Sequence, residues 1–259
     1  MSFTNWNGID PDWRFTGFDN FVRIFEDATS LRAISNTIVY AVVTTIAENI
    51  LGLLIALALH SRLKSRNVLR VLYFAPVVIL SIVIAYLWQY LLQVNNGAIT
   101  SIVQGLGFPD FNPNWLGDPN LVVYSISLIV IWQFTGYTMV IYLAGLQGVP
   151  QEQLEAAALD GAAGWERFWY VVRPMLAPAI TVNIMLSLIR GFMIFDQIWV
   201  TTAGGPADSS HSLSTLIYRT AFQFGELGRG ASIAVVLSLF VALVGFFLYR
   251  GLLRGKGNS

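Results

Sequence analysis

Five long apolar segments, separated by polar stretches, dominate the pattern of hydrophobic and polar positions along this 259-residue chain. Each has close to the roughly 20 residues that an α-helix needs to cross about 30 Å of hydrocarbon. The apolar runs are continuous rather than alternating, and a segment in lipid must satisfy its own backbone, so helices are predicted. The predicted spans are residues 37–59, 71–93, 121–145, 178–200 and 230–249. Aromatic residues near their ends, such as Trp88, Tyr90 and Trp199, are expected to be interfacial anchors.

Lys and Arg are distributed unevenly among the loops, and this predicts the orientation, because cytoplasmic loops carry more of these residues. The first connection, the third connection and the tail are basic, whereas residues 94–120 contain neither Lys nor Arg. The basic residues of the first connection are Arg62, Lys64, Arg66 and Arg70. We therefore expect the first and third loops and the tail in the cytoplasm. The segments expected on the outer side are 1–36, 94–120 and 201–229.

The predicted spans and orientation divide the chain into three parts. Residues 1–36 form an outer amino-terminal segment, and residues 37–249 form a membrane domain. That domain includes a cytoplasmic loop, residues 147–177, and it is followed by a cytoplasmic tail, residues 250–259.

Composition agrees with a membrane protein and excludes several kinds of site. Hydrophobic residues make up 55% of the chain and charged residues 12%, against about 25% charged residues in a typical soluble domain. The sequence has no Cys, which excludes disulfides, thiolate metal sites and a Cys nucleophile. Its two His residues, His60 and His211, are too few for a His-rich metal cluster, and we expect both at interfaces. The sequence lacks the G-x-x-x-x-G-K-[ST] pattern of a phosphate-binding loop.

A polar stretch between two apolar segments, residues 150–174, predicts two short helices joined by a glycine elbow. Residues 151–159 are mostly good helix formers. Asp160-Gly161 should end that helix, because Gly tolerates the positive φ of a tight turn. A second short helix is predicted over residues 165–172, since Pro174 disfavours helical geometry in the residue before it.

This stretch resembles the EAA loop of the permease subunits of ABC importers. The residues that match the family pattern are Glu155, Ala156, Ala157, Gly161, Val171 and Pro174, and Arg173 stands where the family has Leu. In that family the loop is a coupling helix that sits in a cleft of the ATP-hydrolysing subunit. The resemblance implies ATPase contacts for Glu155, Ala156, Ala157, Leu159, Asp160, Gly161 and Pro174. The alternative interpretation is an ordinary amphipathic cytoplasmic loop.

The end of the fourth segment carries a second resemblance. Residues 195–206 are similar to the F-D-x-I-x-x-x-T-x-G-G-P signature of one of the two permease subunits in carbohydrate-type ABC importers. Together the resemblances imply an all-α polytopic protein with the five-helix core of the ABC importer permease (MetI-like) fold. Residues 2–6 and 18–21 resemble the segment after the first of the usual six helices, so the chain is expected to start just after that helix, which either belongs to a longer chain or is absent from this protein. A cleavable signal is the alternative.

Ionisable residues at bilayer depth are costly and by default mark a pathway or a partner. Glu48 lies in the middle of the first segment and Arg190 in the middle of the fourth, and a pair between them would offset both desolvation penalties. The Glu48–Arg190 pair is open to two interpretations, a structural ion pair within the bundle and a direct role in the solute path. By approximate position, the resemblance implies a solute path lined by Glu48, Ser81, Gln133, Arg190, Gly191, Ile194 and Asp196.

The resemblance implies a transporter subunit rather than an enzyme. With a second, homologous permease, the chain would form the path for a sugar or related polyol that an external solute-binding protein delivers. ATP and Mg would be held by a dimer of separate ATPase subunits, and this chain would bind no cofactor, no metal and no nucleic acid. It would be a multi-pass protein of the bacterial or archaeal cell (inner) membrane, in contact with the lipid bilayer.

Two other classes of function are open from the residues alone. A secondary transporter or channel is the first, and Glu48, Arg190 and Asp196 are its best evidence. A membrane-embedded enzyme is the second, and the sequence offers no plausible catalytic set for it.

Overall fold

A computed structural model describes residues 1–61 and 64–254. Arg62 and residues 255–259 of the predicted tail lie outside the described residues. Within the described part the chain is helical apart from loops and one isolated β-bridge between Thr4 and Phe15. The all-α prediction is therefore confirmed.

Long helices alternate with short ones along the chain. In order they are α1 (Asp19–Glu26), α2 (Ala28–His60), α3 (Arg66–Val78), α4 (Ser81–Leu91), α5 (Ala98–Gly105), α6 (Val122–Gln147), α7 (Gln151–Leu159), α8 (Gly164–Arg167), α9 (Arg173–Met175), α10 (Ala177–Phe192), α11 (Asp196–Thr202), α12 (Leu213–Tyr218) and α13 (Leu227–Arg254). A π-helical turn, Phe168–Val172, joins α8 to α9, and a second, Arg219–Gln223, extends α12.

The described residues contain four helical spans that are long and apolar enough to cross a membrane. They are α2, α6, the continuous stretch Ala177–Thr202 that combines α10 with α11, and the first 22 residues of α13. The bent pair of α3 and α4 makes a fifth if it is counted as one span. All five predicted segments are thus helical, as expected.

The second predicted span differs most from its prediction as one helix over residues 71–93. The chain breaks at Ile79 and Leu80, and α3 and α4 meet at 100°. Pro76 lies inside α3, and the Ile79 amide bonds the Pro76 carbonyl at 3.3 Å in a tightened last turn. The Gln133 amide of α6 donates to the Ser81 hydroxyl at 3.2 Å, so a neighbouring helix stabilises the break.

The first span begins at Ala28 rather than at residue 37, because Asp27 caps the helix. Its carboxylate accepts the Thr29 amide at 3.2 Å and the Ser30 hydroxyl at 2.7 Å, and it pairs with Arg229 of α13 at 2.9 Å. Burial raises the pKa of Asp27, but these hydrogen bonds and the Arg229 charge outweigh it and hold the pKa below its usual value. The cap and the ion pair join the amino-terminal ends of α2 and α13.

Small residues allow the central helices to pack closely, as is common between helices in membranes. A side chain at Gly52 of α2 would meet Thr138 of α6 at 2.8 Å, and one at Gly191 of α10 would meet the Ala41 backbone of α2 at 2.5 Å. The backbones of α2, α6 and α10 therefore lie closer together than larger residues at these positions permit.

Gly191→Ala tests this packing. The added methyl overlaps the Ala41 backbone and should force α10 away from α2, which lowers the free energy of unfolding by about 1–3 kcal/mol. Thermal unfolding of the detergent-solubilised protein measures the effect. Gly245→Ala on α13 is the control, because an added Cβ there meets no described atom within 4 Å. Equal melting temperatures for the two variants would contradict the close approach.

Candidate coupling loop and transmembrane polar site

The polar stretch at residues 150–174 folds as its sequence predicts, with α7 and α8 joined by an elbow. Gly161 has a φ of +83°, the left-handed region that favours glycine. Its amide bonds the Ala158 carbonyl at 3.2 Å, and the Ala162 amide bonds the Ala157 carbonyl at 2.9 Å. These two bonds form the Schellman motif that ends a helix and reverses the chain. The predicted glycine elbow is confirmed.

Most of the residues predicted to contact an ATPase face outward from this loop. Leu159 is 89% exposed, and Trp165 and Tyr170 of the same loop are 72% and 76% exposed, so the loop presents several large apolar side chains on its surface. Ala157 is the exception, since it is 9% exposed and turns inward, and it therefore packs within the loop. The exposed members of the predicted set are Glu155, Ala156, Leu159, Asp160, Gly161 and Pro174.

An aromatic ladder stiffens the second half of the loop. Trp165 stacks on Trp169 with ring centroids 5.5 Å apart, and the Arg173 guanidinium lies 4.3 Å from the centre of the Trp169 ring. Arg173 replaces the Leu of the family pattern, and its contact with Trp169 is a cation–π interaction in place of an apolar one. The exposed loop is thus a rigid unit.

The loop lies at the end of the bundle where α2 and α6 terminate. A groove of about 810 Å³ separates it from these helices and is lined mainly by apolar side chains, together with His60, Gln151, Glu155 and Arg167. Because His60 ends α2, the first and third loops lie at the same end, as the charge pattern predicts. His60 is exposed there, as expected.

Glu48 and Arg190 form the ion pair that their depth in the sequence suggested. Arg190 Nη2 donates to Glu48 Oε2 at 2.8 Å, with the Glu48 side chain fully buried and that of Arg190 23% exposed. The Arg190 guanidinium also lies 4.7 Å from the Phe134 ring centre and 5.2 Å from that of Tyr137. Each charge therefore has an opposite charge beside it, and the cation has aromatic faces as well.

A second polar network adjoins this pair, and sequence reasoning did not identify most of it. The Asn49 side-chain amide donates to the Ser187 hydroxyl of α10 at 3.0 Å, and the Tyr142 hydroxyl of α6 donates to Asn49 Oδ1 at 2.7 Å. Asn183 of α10 donates to the Thr138 carbonyl of α6 at 3.2 Å. Serine, threonine and tyrosine are too common in apolar helices to give a sequence signal for such contacts, whereas the polar Asn49 and Asn183 within apolar segments offered one.

Ser81 and Gln133, both predicted to line a path, are hydrogen-bonded to each other. Gln133 is 1% exposed and also accepts a hydrogen bond from the buried Gln197 of α11 at 2.8 Å. Gln197 follows Asp196 in the sequence and was missed. Gln133 therefore connects the break between α3 and α4 with the start of α11.

Gly191, Ile194 and Asp196 occupy other surroundings. Gly191 is buried against α2, and Ile194 is 4% exposed in a cluster with Tyr40 and Val122. Asp196 is the half-buried first residue of α11, and among the described residues Arg190 forms its ion pair with Glu48, not with Asp196. A role for these three residues in the solute path stays a prediction.

Two predictions of interfacial residues were wrong. Trp88 is 9% exposed and packs edge-to-face on Trp132 at 5.6 Å. His211 is 1% exposed and lies in a polar cluster at the outer end of the bundle. Trp88 packs against a residue distant in sequence, whereas the His211 side chain contacts Asp208, Thr215 and Arg219 nearby. Hydropathy along the chain reports neither contact.

The outer cluster around His211 fixes the loop between α11 and α12. His211 Nε2 accepts from Arg219 at 3.0 Å, and Arg219 also pairs with Asp208. The Asn36 side-chain amide of α2 donates to the backbone carbonyls of Ser209 and His211 at 2.7 and 3.0 Å. Burial and the Arg219 charge lower the pKa of His211, and Asp208 opposes them only in part.

Reversal of the charges tests the Glu48–Arg190 pair. Glu48→Arg or Arg190→Glu alone leaves like charges together at bilayer depth and should destabilise the protein by about 3 kcal/mol or more. The double variant should recover much of this loss, as measured by thermal unfolding in detergent. Glu226→Arg, at the exposed pair with Arg229, is a control with a small expected effect. A double variant no more stable than the singles would contradict the pairing.

The lowered pKa of His211 predicts a pH-dependent stability. An unfolded His has a pKa of about 6.5, so between the two pKa values the unfolded state binds more protons than the folded one. The stability should be complete above about pH 6.5 and fall as the pH decreases towards the folded pKa. Melting temperatures of the wild type and His211→Gln over this range test it, and the variant should show a shallower decline.

Comparison with known proteins identifies relatives of the whole chain. A family model described as a binding-protein-dependent transport system inner membrane component matches residues 48–256. The multiple sugar-binding transport system permease protein MsmF of Streptococcus mutans is 32% identical over 243 residues, which cover 94% of this chain and 83% of MsmF. The trehalose/maltose transport system permease protein MalF of Thermococcus litoralis is 33% identical over 231 residues, which cover 89% and 77%.

A solved structure shares the fold. A crystal structure of a bacterial ABC transporter involved in the import of the acidic polysaccharide alginate contains a chain that superposes with a TM-score of 0.84. The match covers 96% of this chain and 86% of that one at 21% identity, so it bears on the fold. The family match over residues 48–256, the exposed loop after α6 and the helical bundle agree with one another. The chain belongs to the binding-protein-dependent transport system inner membrane components, the permease subunits of ABC importers.

Proposed function

We propose that this chain and a second, homologous permease form the membrane path of an importer for a neutral sugar or related polyol. An external solute-binding protein delivers the solute on the side of residues 94–120 and 201–229. Two ATPase subunits on the opposite side hold ATP and Mg, and they grip the loop at residues 150–174. The membrane is the cell (inner) membrane of a bacterium or archaeon.

The exposed coupling loop is the observation that carries this proposal. Leu159, Trp165 and Tyr170 expose large apolar side chains on one loop at one end of the bundle, and a protein partner is what would cover them. Relatives such as MsmF and MalF are named for sugar transport systems, which supports the class of solute. MsmF comes from a bacterium and MalF from an archaeon, and both sources agree with the proposed membrane.

The loop is connected to the helices that hold the polar site. It follows the end of α6 and precedes α10, so a shift of α7 moves the inner ends of both helices. The Glu48–Arg190 pair and the Asn49–Ser187 contact join α10 to α2. Closure of the ATPase dimer on ATP would bring the two loops of the permease pair together and open the helices outward, and hydrolysis would reset them.

The charge balance of the polar site favours a neutral solute. Arg190 would attract an anion if its charge were free, but the Glu48 carboxylate lies 2.8 Å from its guanidinium. The pair has no net charge, and the aromatic rings of Phe134 and Tyr137 flank it. The same pairing accounts for Glu48 and Arg190, two of the three charges that otherwise suggest a channel or an ion-driven transporter.

Gly161→Asp tests the coupling role of the elbow. Replacement strains a positive-φ position by about 1 kcal/mol or more and adds a carboxylate beside Asp160, so it should sharply reduce stimulation of ATP hydrolysis by the loaded solute-binding protein. The chain should still reach the membrane. Gly107→Asp controls for the amount of chain that reaches the membrane, since Gly107 also has a positive φ of 103° and no described atom within 4 Å of an added Cβ. Unaltered stimulation in Gly161→Asp would show that the elbow does not take part in coupling.

Glu155→Lys tests the docking of the ATPase. Glu155 is exposed on α7, and reversal of its charge should weaken co-purification of the ATPase subunits by about tenfold if it meets a basic group there. Glu152→Lys, in the first turn of the same helix, controls for the charge alone. Normal recovery of the ATPase with Glu155→Lys would contradict the docking assignment, and a chain that never recovers an ATPase would overturn the proposed function.

A further inference from the structure

A polar pocket opens at the outer end of α4, away from the polar site described above. Its volume is about 520 Å³. It lies between α4, the residues that follow α4, the loop around Asn114 and the end of α11 at Thr201. None of the ten described residues that line it carries a charge.

One face of the α4 region supplies most of the polar lining. Tyr86, Gln89 and Tyr90 recur at the i, i+3, i+4 spacing of one face of α4, and Gln93 follows two residues after the helix ends. Tyr86 is 61% and Tyr90 65% exposed. The opposite face is apolar and packed, since Ile84, Trp88 and Leu92 are buried against α6 and the outer loop. The bend before α4 therefore turns an aromatic and amide face outward.

The side-chain amides of the pocket indicate that water, not hydrocarbon, fills it. Gln89 and Gln93 are both exposed, and an amide in hydrocarbon without a hydrogen-bond partner costs several kcal/mol. Gln89 is held in place by a 3.2 Å hydrogen bond to the Thr201 carbonyl of α11. Tyr90 was expected to anchor at the membrane interface, but its neighbours on this face indicate a polar, aqueous surface.

We propose that this outer pocket is a binding subsite for a neutral saccharide. Tyrosine faces pack against the C–H surface of a sugar ring, and amide groups both donate to and accept from its hydroxyls. The absence of charge among the described lining residues favours a neutral sugar over an acidic one. This inference rests on the proposed function and adds to it a second place at which the solute is held.

The position of the pocket on α4 relates it to the deeper polar site. Ser81, bonded to Gln133, begins α4, and Gln89 lies eight residues further along it. At 1.5 Å per residue this separates the two places by roughly 12 Å. A saccharide released from the solute-binding protein would contact the outer pocket first and then pass along α4 to the break.

Cysteine protection tests the subsite, and the chain suits it because it contains no Cys. Gln93→Cys is introduced into the full-length chain in lipid nanodiscs and labelled with a water-soluble maleimide. The thiol should react readily, and maltotriose, xylotriose, cellotriose and chitotriose are tested as protecting probes against the anionic trigalacturonate. At least one neutral trisaccharide should slow the labelling, and trigalacturonate should not.

Two further variants assign the protection to the pocket. Tyr86→Ala with Tyr90→Ala in the Gln93→Cys background should raise the saccharide concentration needed for protection about tenfold, because the aromatic faces are lost. Asp110→Cys, exposed in the same outer loop, should be labelled without protection.

Three results would overturn the subsite. They are a Gln93→Cys thiol that lipid or another helix shields, protection by no neutral trisaccharide, and equal protection with or without the tyrosines. Preference for trigalacturonate would overturn the neutral class. These failures are separable from failure of the proposed function, since co-purification of the ATPase with the wild-type chain reports on that function independently.

Discussion

The hydrocarbon core of a membrane contains no water, and this constraint governs where the polar groups of the chain lie. Each polar group at bilayer depth must find its partner within the protein. The Glu48–Arg190 pair and the contacts of Asn49 with Ser187 and Tyr142 meet this demand by joining three helices. The same contacts hold α2, α6 and α10 together, where close packing of glycine surfaces leaves little room for adjustment.

The same constraint explains the polar side chains beside the break between α3 and α4. A helix that ends inside the membrane leaves backbone groups without partners, and Gln133 lies beside the break and bonds Ser81. Through Gln197, Gln133 is also tied to α11. The bend directs α4 sideways, which gives the outer pocket its tyrosine and amide face. Gln133 of α6 thus helps to shape the pocket that α4 and α11 line.

At the end of the bundle where α2 and α6 terminate, the loop at residues 150–174 combines a fixed shape with exposure. The Schellman motif at Gly161 and the ladder of Trp165, Trp169 and Arg173 fix its shape, while Leu159 remains open. Because the loop lies between α6 and α10, its displacement reaches the helices that carry the polar site. An inner contact surface and an outer pocket are therefore linked by one packed bundle.

The sequence by itself determined the five apolar segments, the two short helices with their elbow, and the depth that made Glu48 and Arg190 candidates for a pair. These features depend on hydropathy and local backbone preference, and both are set by residues adjacent in the sequence. Tertiary structure alone decided the break at residues 79–80, the burial of His211 and Trp88, the inward turn of Ala157 and the role of Gln133. The break, the burial of Trp88 and the role of Gln133 depend on partners far away in the chain. His211 and Ala157 pack mainly against nearby residues, in loops whose path only the fold decides. Hydropathy measures affinity for lipid without naming the residue that will occupy the neighbouring space.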